Sequence, residues 1–329
     1  MKRLGVLGTM VWDRIYARDG WLEPIEEWGG ISYALAAAVA ACPEGWEIVP
    51  IVKVGRDLEE QAWEFLRSLP GLRLEPGVRI VPEPNHRVEL HYVAEGRRTE
   101  RITGGVPPWT WDELAPVLDG LDALYVNFIT GFEMELETAA RVRIGFPGPI
   151  HADLHSLLLG VGPGGQRVHE PLLAWRDWLR CFDVVQVNED ELGWLADAWG
   201  GDPWRFTAEV VGDAPRLLLV TLAERGAAYV ASPAFRPDPL TWRVGGLASL
   251  PPIGVSGAAR SGRVPVDRAR SGGDPTGCGD VWGATCFSRL LAGDELEDAL
   301  GAANRAASRN VEHRGTSGLH LFLQGRIDS

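Results

Sequence analysis

The sequence is poor in cysteine, lacks a long apolar run and has no surplus of positive charge, and each absence excludes a class of protein. Its four cysteines form no CxxC pair, so we expect no zinc knuckle and predict a reducing compartment, the cytoplasm. The Ala-rich stretch at residues 35–42 is far shorter than the roughly 20 residues that span a bilayer. We therefore predict no membrane association.

The charge balance argues against nucleic acid as a partner. The 329-residue chain has 32 Lys and Arg against 45 Asp and Glu, a formal net charge of −13. Binding a polyanion requires clustered cations that neutralise phosphates. A small phosphate ligand remains compatible with this charge, because backbone N–H groups at a helix N-terminus can hold it.

Two common enzyme motifs are also missing. There is no G-x-S-x-G string, so a nucleophilic hydrolase is unsupported. Gly5 lies in the first predicted strand and Gly8 directly follows that strand, but Met10 stands where G-x-G-x-x-G requires its third glycine. A dinucleotide-binding dehydrogenase is therefore a weak alternative.

Apolar segments with strand character alternate with amphipathic segments along the chain. The predicted strands are residues 4–7, 48–54, 123–128, 150–154, 184–187 and 217–222, and the predicted helices are residues 31–41, 58–67, 111–118, 133–143 and 189–198. This alternation is typical of an α/β fold, with a mostly parallel sheet covered by helices on both faces.

Residues 78–103 break this alternation. Side-chain character alternates along residues 87–93 and Gly96 marks a turn, which predicts antiparallel hairpins. A sheet this small buries little apolar surface by itself, so we predict that it forms a lid over a cleft. A homodimer formed through its strand edges is left open. Residues 254–273, rich in Gly, Ser and Arg, are predicted to form a loop that either touches phosphate or is simply exposed.

The most informative string is DPTGCGD, residues 274–280, at the entrance of a predicted helix. Glycines there let a ligand approach the backbone, and the N–H groups of Gly277, Cys278 and Gly279 would form a hole for negative charge. Asp280, just inside the helix, could accept a proton from a substrate hydroxyl. Its alternative role is that of an acidic residue that stabilises the first turn.

This string resembles the D-T-x-G-A-G-D signature of the ribokinase-like, or PfkB, family of carbohydrate and nucleoside kinases. Pro275 replaces the family's Thr and Cys278 its Ala, and neither change removes the backbone N–H groups or the final Asp. The resemblance implies one three-layer α/β/α domain over residues 1–329, with the β lid inserted at about residues 78–103. It also implies transfer of the γ-phosphoryl group of ATP to a hydroxyl of a sugar or nucleoside, with Asp280 as the base.

The resemblance extends to the N-terminal part of the chain. Gly29 and Gly30 look like the family's double glycine that lines the sugar site, with Tyr33 or Ala34 where the family has Asn. Asp13 matches the aspartate that binds substrate hydroxyls in such kinases. From the residues alone, a turn aspartate is the plainer interpretation of Asp13.

On the nucleotide side, the NEDE string is similar to the family's N-x-x-E motif. The resemblance implies that Asn188 places phosphates and that Glu191 places Mg²⁺, although Asn188 is also a good helix N-cap. It implies further ATP contacts at Thr221, Gly226, Thr276 and Asn304. The implied cofactors are ATP and Mg²⁺, and dependence on a monovalent cation is left open.

The string HADLH contains three further candidates. His151, Asp153 and His155 alternate, so they would share one face of a strand, and such side chains can bind zinc or iron. The resemblance favours another interpretation, in which the strand end faces the cleft and Asp153 and His155 approach substrate or phosphates. A second hypothesis for the whole chain is a nucleotide- or sugar-binding regulatory protein without turnover, since a fold does not guarantee activity.

Overall fold

The computed structural model describes residues 1–16, 25–94, 97–242, 258–267 and 273–328. The predicted turn at Gly96 lies outside these residues, as do positions 254–257 and 268–272 of the predicted loop. The described part of that loop contains a strand, Arg260–Val264, which was not predicted.

Strands and helices alternate as the sequence predicts. The strands are β1 Lys2–Leu7, β2 Met10–Tyr16, β3 Ile25–Gly30, β4 Trp46–Gly55, β5 Val78–Val81, β6 Arg87–Ala94, β7 Arg97–Thr103, β8 Ala123–Asn127, β9 Ile150–Asp153, β10 Leu159–Val161, β11 Arg167–His169, β12 Val184–Asn188, β13 Leu217–Thr221, β14 Ala227–Ala231 and β15 Arg260–Val264. The helices are α1 Ile31–Ala41, α2 Glu59–Ser68, α3 Trp111–Leu118, α4 Leu136–Gly145, α5 Trp175–Arg180, α6 Glu189–Trp199, α7 Pro203–Asp213, α8 Cys278–Leu291, α9 Leu296–Asn310 and α10 Leu319–Leu323.

The central sheet has the strand order β15-β14-β13-β12-β9-β8-β1-β4-β5. Pairing is parallel from β5 to β13 and becomes antiparallel at β14 and β15. Strands such as β8 and β13 consist almost wholly of buried apolar residues, as parallel strands covered on both faces require. The carboxyl ends of β8, β9, β12 and β13 therefore meet at one edge of the sheet.

Helices cover both faces of this sheet. Apolar side chains of α3 to α7 pack on one face, and those of α1, α2 and α8 to α10 pack on the other. The predicted three-layer α/β/α fold is thus confirmed. In the described part of the chain, no helix is both long and apolar enough to cross a bilayer.

A second, four-stranded sheet, here called the lid, has the order β3-β2-β6-β7. The predicted antiparallel hairpin is present as β6 and β7. The predicted start of the lid at residue 78 is wrong, because β5 pairs in parallel with β4 at the edge of the central sheet. The other two lid strands, β2 and β3, come from the N-terminal segment. Period-two alternation indicates a half-buried strand but does not say which sheet it joins.

Candidate active site

Asp280 lies in the first turn of α8, where the helix meets the carboxyl edge of the central sheet. Its Oδ1 accepts a hydrogen bond of 2.6 Å from Nδ2 of Asn127, the last residue of β8. Gly277 caps the helix with φ of 73°, and a Cβ there would overlap the ring of Tyr33. A left-handed backbone and a close aromatic neighbour together require glycine at this position.

The helix entrance offers fewer open donors than the sequence predicts. The Cys278 N–H donates to the carbonyl of Pro275 at 3.2 Å. Within the described residues, the N–H groups of Gly277 and Gly279 donate to no protein acceptor. The predicted hole therefore has two open N–H groups instead of three.

The side chain of Cys278 packs inward as a small neutral group. Its Sγ lies 3.5 Å from the carbonyl oxygen of Ala307 and accepts a hydrogen bond of 3.4 Å from Asn310. Burial raises the pKa of the Cys278 thiol to about 11, so the group is a thiol at neutral pH. This agrees with the prediction that Cys can replace the family's Ala.

Asp153, at the end of β9, is buried beside Asp280. Nε2 of Gln186 donates both to Asp153 Oδ2 at 2.7 Å and to the carbonyl of Gly279 at 3.1 Å. Burial raises the pKa of Asp153 well above its usual range, and the carboxylates of Glu191 and Asp280 raise it further. One buried amide thus joins the predicted substrate residue to the helix entrance.

Asn188 and Glu191 form a capping box at the start of α6. The Asn188 side chain accepts from the Glu191 N–H at 2.9 Å, and Glu191 accepts from the backbone and side-chain N–H groups of Asn188 at 2.8 and 2.7 Å. Glu191 Oε1 also pairs with Nδ1 of His155 at 3.0 Å. Oε1 of Glu191 thus has two hydrogen-bond partners and Oε2 has one, which leaves a lone pair on Oε2 that a metal ion or its water ligand could approach.

His155 follows β9 and lies between α6 and α8. Its burial would lower its pKa, but the ion pair with Glu191 and the nearby carboxylates of Asp153 and Asp280 outweigh this and raise the pKa to about 10. His155 is therefore an imidazolium at neutral pH.

The residues predicted to bind the phosphoryl acceptor lie together where the lid joins α1. Gly29 lies against the carboxylate of buried Asp13, because a Cβ on Gly29 would overlap it. Gly30 has φ of 58° and leads directly into α1, whose Tyr33 is buried. Burial raises the pKa of the Tyr33 hydroxyl, and the carboxylates of Glu27 and Asp13 add to this effect. Because Tyr33 also packs against Gly277, these predicted acceptor-binding residues adjoin the start of α8.

The predicted nucleotide residues lie near the sheet edge formed by the carboxyl ends of β12, β13 and β15 and the amino end of β14. Thr221 is the register partner of Asn188. Gly226 has φ of 92°, and a Cβ there would overlap the carbonyl of Val264. The buried Asn304 amide donates to that same carbonyl at 3.0 Å and accepts from the Trp282 indole at 2.8 Å. Asn304 thus fixes the end of β15, and its predicted ATP contact stays a prediction.

Thr276 is buried within the turn that precedes α8. Its hydroxyl donates to Asp274 Oδ1 at 2.6 Å, and its backbone N–H donates to the same oxygen at 2.9 Å. These bonds show a turn-stabilising role for Thr276, and its predicted nucleotide contact stays a prediction.

The structure separates the three polar residues of HADLH. His151 lies in the core, edge-on to Tyr125 and Phe287, whereas Asp153 ends the strand and His155 begins a 3₁₀ turn. Among the described residues, no three His, Cys, Asp or Glu side chains are grouped as a metal site. The interpretation that all three share one face is therefore wrong, because β9 ends before His155.

His151 should make stability depend on pH. Burial lowers its pKa to about 3 from an ordinary value of 6.5, so below pH 6.5 the unfolded chain binds a proton that the folded chain does not. The free energy of unfolding should thus fall by about 2 kcal/mol between pH 7 and pH 5 through this residue. Denaturant titrations of wild type and His151→Gln at both pH values isolate the effect. Equal losses in the two proteins would contradict the assignment.

Two residues of the site were not predicted from the sequence, Asn127 and Gln186. Asn127 ends the largely apolar strand ALYVN, and Gln186 lies between valines in VVQVN, which ends at Asn188. A polar side chain that interrupts a buried parallel strand needs a hydrogen-bond partner, and that signal could have identified both.

Comparisons with known proteins bear on the family and the fold. Residues 166–320 match the model of the pfkB family carbohydrate kinases, a range that includes the NEDE string and the DPTGCGD string. No curated protein matches the chain.

Three solved structures illustrate the likeness of the fold. The ribokinase of Thermotoga maritima has a TM-score of 0.70 at 16% identity, over 99% of this chain and 98% of that chain. An E. coli protein assigned as a ribokinase II, in complex with ATP and Mg²⁺, has a TM-score of 0.71 at 15% identity, over 99% and 100%. The Burkholderia thailandensis nucleoside kinase in complex with inosine has a TM-score of 0.64 at 15% identity, over 98% and 96%.

At such identities the structural likeness establishes the fold alone, while the family model adds the match in sequence. The resemblance predicted from the sequence is confirmed: residues 166–320 match the pfkB family of carbohydrate kinases, and the chain has the ribokinase-like fold.

Proposed function

We propose that the protein is an ATP-dependent kinase that phosphorylates a hydroxyl of a sugar or nucleoside. The observation that carries the proposal is the placement of Asp280, whose carboxylate is held by Asn127 at the carboxyl edge of the sheet. This carboxylate lies next to two open backbone N–H groups at the start of α8. The contact between Gly277 and Tyr33 connects the start of α8 to the residues predicted to bind the phosphoryl acceptor. The ATP bound to the similar E. coli structure supports the choice of donor.

In the proposed reaction Asp280 is the general base. Its carboxylate takes the proton of the acceptor hydroxyl as that oxygen forms a bond to the γ-phosphorus. The bond from the γ-phosphorus to the β,γ-bridging oxygen breaks, and ADP leaves with the electron pair. The N–H groups of Gly277 and Gly279, at the positive end of α8, stabilise the negative charge on the transferring group.

The residues present fit a magnesium ion held mainly through water. Burial raises the pKa of Asp153, and the carboxylates of Glu191 and Asp280 raise it further, although the described residues do not group three such side chains around one ion. Magnesium keeps several water ligands and is commonly held by one or two carboxylates together with the phosphates. When bound, it would neutralise charge on the phosphates of ATP, with Asn188 and Glu191 orienting its water ligands.

The acceptor side favours a ligand rich in hydroxyl groups. Asp13 is a buried acceptor on the lid, and it lies against the backbone of Gly29. Glu27 lies next to it, with its pKa raised by burial and by the carboxylate of Asp274. Carboxylates accept hydrogen bonds from sugar hydroxyls, and both sugars and nucleosides supply these. Closure of the lid over them would exclude water and limit hydrolysis of ATP.

The proposal can be tested by measuring ADP release with ATP and Mg²⁺ over a panel of acceptors: ribose, fructose, 2-keto-3-deoxygluconate, adenosine and inosine. ADP release above the acceptor-free rate for one class of acceptor would support the proposal and identify that class. Binding of ATP with no acceptor-dependent release across sugars and nucleosides would instead favour a binding or regulatory protein.

Replacing Gln186 should lower kcat, although this residue lies behind the proposed site. Replacement by the near-isosteric Met removes the N–H groups that hold Asp153 and the Gly279 carbonyl. We expect kcat to fall about tenfold because the helix entrance shifts, with KM for ATP little changed. Steady-state kinetics of Gln186→Met, compared with Gln61→Met on the exposed side of α2, would measure this. A kcat equal to that of the control would contradict the positioning role.

A further inference from the structure

Two carboxylates face each other across neighbouring strands of the lid. Asp13 on β2 and Glu27 on β3 are register partners in an antiparallel pair, so their side chains lie on the same face of the lid. Asp13 is buried and Glu27 is half-buried. Like charges directly opposite each other on neighbouring strands are destabilising. The lid thus carries an unfavourable pair on the side where the acceptor is proposed to bind.

The protein offsets the charge of Glu27 only weakly. Its Oε2 lies against the backbone of Gly315, because a Cβ there would overlap that oxygen, and its Oε1 is buried with no hydrogen-bond partner among the described residues. Burial raises the pKa of Glu27 and the carboxylate of Asp274 raises it further, whereas the exposed Arg314 has a smaller, opposite effect. In the part of the chain that the structure describes, no Lys, Arg or His side chain lies within ion-pair distance of Glu27.

Tyr33 adds a buried hydroxyl at the same place. Its side chain is 2% exposed, and its hydroxyl donates to no acceptor among residues 1–16, 25–94, 97–242, 258–267 and 273–328. Burial raises the pKa of this hydroxyl, and four carboxylates raise it further, those of Glu27, Asp13, Asp274 and Asp280. The hydroxyl therefore lies between the acidic face of the lid and the start of α8. A buried polar side chain needs a hydrogen-bond partner, which a bound ligand would supply here.

A ligand at this place has to bring both hydrogen-bond donors and positive charge. A carboxylate only accepts hydrogen bonds, and a phenol oxygen can accept one as well. A sugar hydroxyl brings one donor and no charge, whereas an ammonium group brings three donors and a positive charge. Charge-assisted hydrogen bonds are shorter and stronger than those between neutral groups. An ammonium group therefore fits Glu27 and Tyr33 better than a hydroxyl does.

We propose that Glu27 and Tyr33 bind an ammonium group of the phosphoryl acceptor, so that the substrate is an amino sugar or an aminated nucleoside. This inference rests on the proposed function and narrows its acceptor class. The ammonium N–H groups donate to Oε1 of Glu27 and to the hydroxyl oxygen of Tyr33, and they take no part in the transfer. A separate hydroxyl of the same acceptor gives its proton to Asp280 and receives the γ-phosphoryl group.

Acceptors that differ in one substituent test this inference. Glucosamine, glucose and N-acetylglucosamine form one set, and 3′-amino-3′-deoxyadenosine and adenosine form the other, each assayed with ATP and Mg²⁺ below the pKa of the amine. We expect kcat/KM for the aminated member of one set to exceed that of its neutral counterparts about ten- to a hundredfold. Neutral members that are used as well as the aminated ones in both sets would overturn the inference and leave the kinase in place.

The variant Glu27→Gln removes the charge and keeps the shape of the side chain. We expect kcat/KM to fall about ten- to a hundredfold for the aminated acceptor and much less for its neutral counterpart, with KM for ATP near wild type. Glu26→Gln is the matched control, because Glu26 is exposed and bonds to Arg14 and Trp12. A preference for the amine that persists in Glu27→Gln would overturn the inference. Equal losses for both acceptors with a lower melting temperature would also overturn it, because they indicate a structural role.

Calorimetry with the same compounds separates this inference from the proposed function. Tighter binding of an aminated compound than of its neutral counterpart, lost in Glu27→Gln and kept in Glu26→Gln, supports the inference even if nothing is phosphorylated. If neither aminated compound binds more tightly than its neutral counterpart, the inference is overturned, whether or not the protein transfers a phosphoryl group.

Discussion

Replacing Asp280 with Asn is expected to lower kcat by about two to four orders of magnitude, with the affinity for ATP changed only a few-fold. Asn keeps the shape of the side chain and can still bond to Asn127, but it cannot accept the proton of the acceptor hydroxyl. The loss should therefore appear in turnover. Steady-state kinetics and calorimetry with ATP on the same preparations would show the split.

A matched control tests whether Asp280 acts only as an acidic residue at a helix start. Asp298 is exposed in the first turn of α9, where an acidic side chain has the same favourable interaction with the helix dipole. Asp298→Asn should lose a few tenths of a kcal/mol of stability and no activity. Turnover of Asp280→Asn equal to that of Asp298→Asn would remove Asp280 from the role of base.

Replacing Asp183 with Ala is expected to lower the free energy of unfolding by about 3 to 5 kcal/mol. Asp183 lies at the edge of the sheet opposite the site, where it accepts hydrogen bonds of 2.6 Å from Arg143 and 3.0 Å from the N–H of Ile150. It also pairs with Arg216 at 3.4 Å. Arg143 is 4% exposed, so its charge would be left buried without its carboxylate. Urea or guanidinium titration would measure the loss.

The exposed pair of Arg141 and Glu137 on α4 provides the comparison for this buried pair. Their side chains lie 3.2 Å apart at i and i+4, and both are largely exposed. Glu137→Ala should therefore lose less than about 1 kcal/mol. Asp183→Asn keeps part of the hydrogen bonding, so its loss should lie between the two. A loss below 1 kcal/mol in Asp183→Ala would contradict the account of this buried pair.

The central part of the site could be predicted from the sequence because the residues that form it are close together in the chain. The glycines, Cys278 and Asp280 of one string form one helix entrance, and Asn188 and Glu191 form one capping box. Both are local arrangements, in which spacing along the chain decides the geometry. The buried strands were predicted for a similar reason, since a run of apolar residues such as that of β13 needs no partner to be identified.

Contacts between residues far apart in the chain could not be predicted from the sequence. Asn127 lies 153 residues from Asp280, and the Gln186 amide reaches Gly279 across 93 residues. The lid combines β2 and β3 with a hairpin much later in the chain, which no local pattern indicates. The charge of His155 likewise depends on carboxylates from three different elements. Features of this kind require the fold, because strand order decides which residues meet.

The central claim, that this site transfers a phosphoryl group, is tested most directly by following the γ-phosphoryl itself. ATP labelled at that group would be incubated with Mg²⁺, the wild-type protein or Asp280→Asn, and each acceptor, and the label would be traced by chromatography. We predict label on a hydroxyl of a sugar or nucleoside with the wild type and at least about a hundredfold less with the variant. Label that stays on ATP or appears only as free phosphate, with ATP bound, would contradict the claim.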